Sequence, residues 1–501
     1  WALMPTILTY LILVPLVGSI LAYLVGRVNV RYEKILAILA SGFTFLLSII
    51  LYIDVRRAPG KWFPGEDYLW VEQFGISYTL GVDGISMPMV MLTTLMMTIA
   101  IIASWDYIKF REREYYAVIL VLQVGLTGVF ISLDLLLFFI FWEIVLVPMF
   151  FLIGIWGGPR REYSAMKFFV FTHIGGLAMF LGFLALFLRS GATGQYTFNM
   201  LTLTQLIQTY PEVFPLDFQK LIFVAVFLGF AFKMPLVPFH TWLPDAHVEA
   251  PSPVSIILAG VLLKMGGYGL IRIGAGMLPE AVKVFALALA LFGILSIFYG
   301  AFVCLAQTDV KKLIALSSVS HMGFVALGVA SLNTLGINGA VYQMVSHGLI
   351  SGLLFLLSGL LLEKAGSRDI PALSGLVRKL PVIGWVLVFA SLASLGLPSL
   401  SGFVAELIVF LGAYQTYKIL TIFTVTAIVI TAAYYIWMLQ RIVFGPPHER
   451  LMNVKEHIHW SEGLSMAVLI IFIVLLGIYP VPLLNLIGVS SGAIAALLGG
   501  G

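Results

Sequence analysis

Residues 232–270 read FKMPLVPFHTWLPDAHVEAPSPVSIILAGVLLKMGGYGL, and this stretch decides the fold. It begins at the end of an apolar run that starts at 219, and it sets Lys233 inside that run with Pro235 and Pro238 close behind. A proline within a helix removes a backbone hydrogen bond and clashes with the preceding turn, so this span breaks beside its lysine. A second apolar run, 253–273, follows with Lys264 near its centre. A charged residue at the middle of a bilayer costs roughly 2.5–3.5 kcal/mol even on the most lenient insertion scale. Two such lysines, one of them at a helix break, point to a membrane protein that handles charge.

The rest of the chain has the same character. Of its 501 residues, 61% are hydrophobic and 10% charged, where a soluble chain carries about 25% charged residues. Such a chain cannot solvate its own surface, which excludes a soluble enzyme and a disordered or fibrous protein. The apolar runs are continuous rather than alternating, which argues against a transmembrane barrel. Cys304 is the only cysteine, so there is no disulfide framework, Cys-ligated iron–sulfur cluster or CxxCH haem site. The net charge of +4 comes from loop residues and reads as topology, not nucleic-acid binding. The chain opens directly on an apolar segment, so no cleavable signal peptide is expected.

Fourteen apolar runs approach the ~20 residues needed to cross ~30 Å of hydrocarbon: 5–25, 33–53, 86–105, 114–132, 134–156, 165–188, 219–243, 253–273, 281–303, 310–330, 338–362, 382–413, 419–441 and 464–485. The expected fold is an all-α polytopic membrane protein. Connections from odd to even spans carry 17 Lys and Arg, including Lys311, and even-to-odd connections carry 8, including Lys61 and Arg272. The positive-inside rule then puts both termini outside. Lys167 lies near the inner end of its span, where it can snorkel. In the outer loop 54–85, the alternating WVEQFGISYTLGVDG predicts a short hairpin. In the loop 190–218, FNMLTLTQLIQTY predicts a short interfacial helix.

Span twelve is interrupted like span seven, by Gly396-Leu-Pro398-Ser-Leu-Ser-Gly402. Each break has an ionisable neighbour, Lys233 or Glu406. Interrupted spans at corresponding positions are the sequence sign of an inverted-repeat transporter. The two lie five spans apart, which predicts inverted five-helix repeats at 114–273 (spans 4–8) and 281–441 (spans 9–13). They are flanked by 1–113, with spans 1–3 and an outer loop, and by 442–501, with span 14 and a tail.

Further ionisable groups fall deep inside spans. At 1.5 Å per residue, Glu143 and Lys264 sit about 14 and 17 Å in, and His321 and His347 about 16 and 14 Å in. The two histidines thus share a depth, where imidazole can pass a proton or hold water. His173, in VFTHIGG, reads as a packing residue. The segment from His240 through Asp245 and His247 to Glu249 has the donor density of a metal site. Its interspersed prolines argue against a regular ligand face, and a proton or water access funnel is the better reading.

At these residues the chain resembles the antiporter-like membrane subunits of respiratory complex I, the proton-pumping NADH:quinone oxidoreductase, to which Mrp antiporter and membrane-bound hydrogenase subunits are related. The resemblance runs from about 80 to 445. It is carried by DLLLFFIFWEIVLVPMFFLIGIWGG (134–158), the opening stretch 232–270, SSVSHMGF (317–324), QMVSHGLISGLLF (343–355) and LPSLSGFVAEL (397–407). Within the family it looks most like the chain-four, or M, type. Glu406 stands where the other types carry lysine, and no long lateral helix follows the last spans.

The resemblance implies a relay in which Glu143 pairs with Lys233, Lys264 is the central base, His321 and His347 link two half-channels, and Glu406 is the terminal acid. Val248-Glu249-Ala-Pro departs from the expected pattern near the funnel. The resemblance also implies no cofactor in this chain, with flavin, iron–sulfur clusters and quinone in or at partner subunits. It implies neighbouring antiporter-like subunits and lipid as partners, a prokaryotic plasma membrane as location, and an Mrp-type or hydrogenase-linked cation/proton antiporter as the alternative.

Overall fold

The tightest point of the sequence, Ser132-Leu133-Asp134, shows how little chain a turn between spans requires. Asp134 caps the following helix by accepting from the amides of Leu136 and Leu137 at 2.9 and 3.0 Å, which satisfies donors that a helix start leaves open. Its other oxygen accepts from the amide and hydroxyl of Ser77, both at 3.1 Å. One carboxylate thus starts a span and anchors the 54–85 loop beside it. These contacts come from a computed structural model that describes residues 7–58, 60 and 62–499. Lys61, the first residues of span 5–25, and the chain ends of the flanking segments 1–113 and 442–501 lie outside the described residues.

In chain order the elements are α1 (Ile7–Val25), α2 (Val30–Arg57), β1 (Phe63–Val71), β2 (Ile76–Val82), α3 (Ser86–Tyr107), α4 (Glu112–Ile131), α5 (Leu135–Trp156), α6 (Arg161–Ser190), α7 (Met200–Thr209), α8 (Leu216–Lys233), α9 (Trp242–Glu249), α10 (Ser252–Ile257) and α11 (Leu263–Gly269). They continue with α12 (Pro279–Leu305), α13 (Val310–Ala330), α14 (Thr334–Ala365), α15 (Pro381–Ser394), α16 (Ser401–Thr416), α17 (Lys418–Val425), α18 (Ala427–Val443), α19 (Trp460–Ile478) and α20 (Val481–Leu497). Wide π-turns at Leu258–Leu262 and Leu270–Ala275 join α10 and α11 into one continuous span, Ser252–Ala275.

Among the described residues, twelve helices are long and apolar enough to cross a membrane, or thirteen if the pair Ile370–Arg378 and Pro381–Ser394, bent by 112°, is one span. The protein is an all-α polytopic membrane protein. The expected spans missing from the twelve are seven and twelve, the two interrupted by proline and glycine: α8 stops at Lys233, and α15 and α16 are separated by 395–400. The hairpin and the short helix form as expected in their two loops, with β1 and β2 pairing antiparallel and α7 filling the second.

The last expected span is misplaced. A run of 464–485 crosses Pro480 and Pro482, and the chain instead ends α19 at Ile478 and starts a separate α20. α20 is apolar but only 17 residues long, short of the ~20 that a span needs.

Burial sorts the helices into a centre and a rim. The most apolar windows of α13 and of Ser252–Ala275 are buried completely and that of α14 to 94%, whereas α1, α2, α19 and Lys418–Val443 bury only 33–39%. Two residues counted as loop cations belong to the interior. Lys311 is buried and donates to the carbonyl of Ala250 at 2.5 Å. Arg272 is buried against Asp83 at 2.5 Å and lies over the ring of Trp62. Removing them leaves the charge bias at 16 against 7, with the same sign.

Candidate functional site: a buried line of acids and bases

The break after α8 is well supplied with partners. The amide of Val237 donates to Ser296 Oγ at 3.0 Å, and Trp242 Nε1 donates to the carbonyl of Phe232 at 2.8 Å. Backbone freed by Pro235 and Pro238 is therefore satisfied within protein, the condition for irregular chain at membrane depth. Lys233 closes α8 and is buried with its ammonium over the rings of Trp142 and Phe168, 5.2 and 5.7 Å from their centroids. Its Nζ has no hydrogen-bond partner.

Glu143 is not in contact with it. The carboxylate turns to α6, where Oε2 lies 2.9 Å from His173 Nδ1, while Trp142, one residue earlier on α5, holds the place beneath the lysine. The expected Glu143–Lys233 contact is thus replaced by Glu143–His173, and His173 is a polar partner rather than a packing residue.

The access funnel also divides. Asp245 pairs with Lys167 at 2.7 Å, so Lys167 does not snorkel freely. Glu249 accepts from the amide of Arg160 at 2.9 Å. His240 lies edge-on to Tyr299, and His247 is fully buried and stacked on Phe355 with 4.3 Å between centroids and neither ring nitrogen partnered. The two acids fasten α9 to the α5–α6 end while the two histidines face inward, so the four do not line one opening.

The second half of the site is continuous. Gly260 and Gly348 let the π-turn and α14 touch: a Cβ on Gly348 would lie 2.7 Å from the carbonyl of Gly260. That approach brings Lys264 to α14. Its Nζ donates to the carbonyl of Ala259 within the π-turn and lies 2.7 Å from His347 Nδ1. His347 and His321 are neighbours, with ring centroids 5.5 Å apart. His321 Nδ1 lies 3.4 Å from Glu406 Oε1.

Glu406 sits on α16 against the break, where Gly396 (φ +89°) would place a Cβ 3.1 Å from its carboxylate. Ser399 takes a similar left-handed conformation (φ +78°), and Pro398 is exposed in the same turn. A cavity of about 10 Å³ is lined by both histidines, Glu406, Gly402, Gln343 and Ser346, among others, which is room for about one water. Lys264, His347, His321 and Glu406 are thus one line of buried titratable groups crossing from the π-turn span to the broken span.

Residues 132–431 match the family model described as NADH:quinone oxidoreductase/Mrp antiporter, TM. The chain belongs to the NADH:quinone oxidoreductase/Mrp antiporter family. Residues 67–129 also match the model for the amino terminus of NADH-ubiquinone oxidoreductase chain 4. Similar members of the family include NADH-quinone oxidoreductase subunit M of Rhodobacter capsulatus, 39% identical over 97% of this chain and 96% of that one. The F(420)H(2) dehydrogenase subunit M of Methanosarcina mazei is 37% identical, covering 98% of both. Among solved structures, a chain of respiratory complex I from Thermus thermophilus superposes with TM-score 0.87 at 28% identity, covering 99% of this chain and 100% of that one. A chain of the Mrp complex from Dietzia sp. shares the fold, with TM-score 0.85 at 19% identity over 98% and 99% of the two chains.

In this family member several polar partners escape a reading of ionisable residues alone. Ser318 lies 3.2 Å from His347 Nε2, and Ser394 lies 3.1 Å from His321 Nε2. Tyr435, fully buried on α18, bonds with both Ser394 and Ser317. The doublet Ser317-Ser318 one turn before His321 was the available signal, but serine is common in membrane helices because small residues let them approach.

Proposed function

We propose that this chain is a non-redox, proton-translocating membrane subunit of the M type in a complex I-like oxidoreductase. Its fourteen spans form inverted repeats at 114–273 and 281–441, and both termini lie outside a prokaryotic plasma membrane. Flavin, iron–sulfur clusters and quinone belong to partner subunits, with neighbouring antiporter-like subunits and lipid around this one. The observation that carries the reading is the unbroken line Lys264–His347–His321–Glu406, with separations of 2.7 Å, 5.5 Å between rings, and 3.4 Å. Titratable groups are kept inside a membrane at such cost chiefly along ion pathways and proton relays.

In the proposed cycle Glu143 exchanges partners between His173 and Lys233. Closed on Lys233, it holds that lysine protonated; turned to His173, as found here, it releases the lysine's proton toward Lys264. The proton then passes by His347 and His321 to Glu406 and the outer face, with the breaks at Pro235–Pro238 and Pro398–Gly402 serving as hinges.

The test is at Glu406, which the reading requires to be titratable rather than of one sign. Glu406→Lys should retain more pumping than Glu406→Ala in reconstituted vesicles normalised to assembled complex, although reversing a buried charge ordinarily costs more than deleting it. Alanine pumping as well as lysine would remove Glu406 from the path. Mass spectrometry of the co-purifying subunits separates this reading from the alternatives: flavin- and cluster-bearing partners go with the complex I-like oxidoreductase, hydrogenase subunits with the hydrogenase-linked type, and neither with the Mrp type.

A further inference from the structure

The hydroxyl groups around the two central histidines all run in one direction. Ser317 Oγ donates to the carbonyl of Ile314 at 2.7 Å, and Ser318 Oγ donates to the same carbonyl at 3.3 Å. A backbone carbonyl only accepts, and a hydroxyl has a single proton to give. With its proton committed to Ile314, Ser317 receives one from Tyr435 at 3.2 Å. Tyr435, its own proton so committed, receives one from Ser394 at 2.7 Å. Ser394 can then meet His321 Nε2, 3.1 Å away, only as an acceptor. His347 is set from its other side: the Lys264 ammonium has only hydrogens to give, so Nδ1, 2.7 Å away, accepts, and the ring's own hydrogen sits on Nε2, 3.2 Å from Ser318 Oγ.

We propose that both buried histidines are held as Nε2–H tautomers, His347 by the Lys264 ammonium at its Nδ1 and His321 by the Ile314 carbonyl through Ser317, Tyr435 and Ser394, so that each ring gains and loses its proton at Nδ1. A neutral imidazole has one donor and one acceptor nitrogen, and the free lone pairs then face the ionisable partners: Nδ1 of His347 toward Lys264 Nζ at 2.7 Å, and Nδ1 of His321 toward Glu406 Oε1 at 3.4 Å.

The balance at each end is simple. An N–H bond of the Lys264 ammonium breaks as one forms on His347 Nδ1, leaving an amine and an imidazolium. At the other end the N–H bond at Nδ1 of a His321 imidazolium breaks as an O–H bond forms on the Glu406 carboxylate, leaving a neutral ring beside a carboxylic acid. Neither ring can hand its Nε2 hydrogen along the hydroxyls, because each chain of them ends on a carbonyl. Passage between the rings therefore uses the small cavity they share with Gln343 and Ser346. Tyr435 and the three serines are positioning residues. Only the transport consequence rests on the relay reading above; the tautomers themselves do not.

The experiment is ¹⁵N NMR of the assembled complex carrying ¹⁵N-histidine, with the two signals assigned by difference from His321→Gln and His347→Gln. Both rings should show a protonated Nε2 and a bare Nδ1. Tyr435→Phe keeps the ring and removes the hydroxyl. It should change the His321 tautomer ratio roughly fivefold, the net worth of about one hydrogen bond, and leave His347 unmoved. Ser394→Ala should do the same, and Ser394→Thr should restore the wild-type signal. A protonated Nδ1 with bare Nε2 on either wild-type ring, or a His321 signal indifferent to Tyr435→Phe and Ser394→Ala, overturns the proposal. The tautomer is read without turnover, so the proposal and the relay reading fail separately: if the tautomers are as stated and His321→Gln pumps normally, only the relay is wrong.

Discussion

The two halves of the buried polar line are built differently. From Lys264 to Glu406 every titratable group touches or abuts the next, and hydroxyls hold the rings. From Glu143 to Lys233 the acid and the base do not touch, the acid lying on His173 and the lysine over two aromatic rings with no hydrogen-bond partner. In the proposed cycle one half is a fixed path and the other a contact made and broken where the chain is interrupted, a conductor and its switch built of the same residue types.

The largest effect that would break this comparison is expected in the conductor. Lys264→Met keeps roughly the same volume and removes the titratable group, and proton pumping should fall by about 100-fold, with redox turnover falling alongside if the two are tightly coupled. Normal pumping in the assembled variant would make Lys264 structural.

The switch should respond next. Glu143→Gln keeps the shape and removes the charge, and should lower pumping on the order of tenfold with assembly intact. An unchanged ratio of protons to electrons would exclude the switch. His173→Gln sharpens the contrast, because it removes only the resting partner of Glu143. A partial loss, roughly two- to fivefold, is expected from one charge-assisted hydrogen bond, and no loss would show that His173 merely packs.

The smallest effect on transport should come from Asp83, which lies outside both halves. Breaking its buried pair with Arg272 by Asp83→Asn should leave the proton-to-electron ratio unchanged while costing about 3–5 kcal/mol of stability, read as a lower unfolding midpoint in detergent. Burial raises the Asp83 carboxyl, but the Arg272 guanidinium and the amides of Ser86 and Ile85 outweigh it and hold its pKa below the ordinary carboxylate value. A lowered folded-state pKa contributes stability that is fully present above about pH 4 and is lost as pH falls through the folded value. The wild type should therefore lose stability below about pH 4 more steeply than Asp83→Asn.

How much of this could be read from the sequence follows from the range of the interactions. Broken spans are local events, announced by Pro235, Pro238, Pro398 and Gly402, and they were legible. So was the closeness of His321 and His347, because helical rise converts residue number to distance along each span. The hairpin was legible from its alternation and α7 from its apolar pattern. What failed depended on neighbours distant in sequence. Glu143 turns to His173 rather than to Lys233 because of how α5, α6 and α8 pack around Trp142, and no spacing encodes that choice. Lys311 and Arg272 stand near helix ends and resemble loop cations; only the fold reveals that Ala250 and Asp83 take them inside. Tyr435 on α18 bonds Ser317 across 118 residues and meets His321 only through Ser394, beyond any motif.

The complete burial of α13 and of the π-turn span, with α14 close behind, has a consequence for the medium in which protons move. These helices carry Lys264, His321 and His347, and the partly exposed helices around them act as a jacket. The proposed path is then an insulated core: its polarity is set by protein dipoles at fixed positions, while the thickness and headgroup charge of a bilayer act first on the jacket. A relay in such a core would keep the same proton affinities in membranes of different composition.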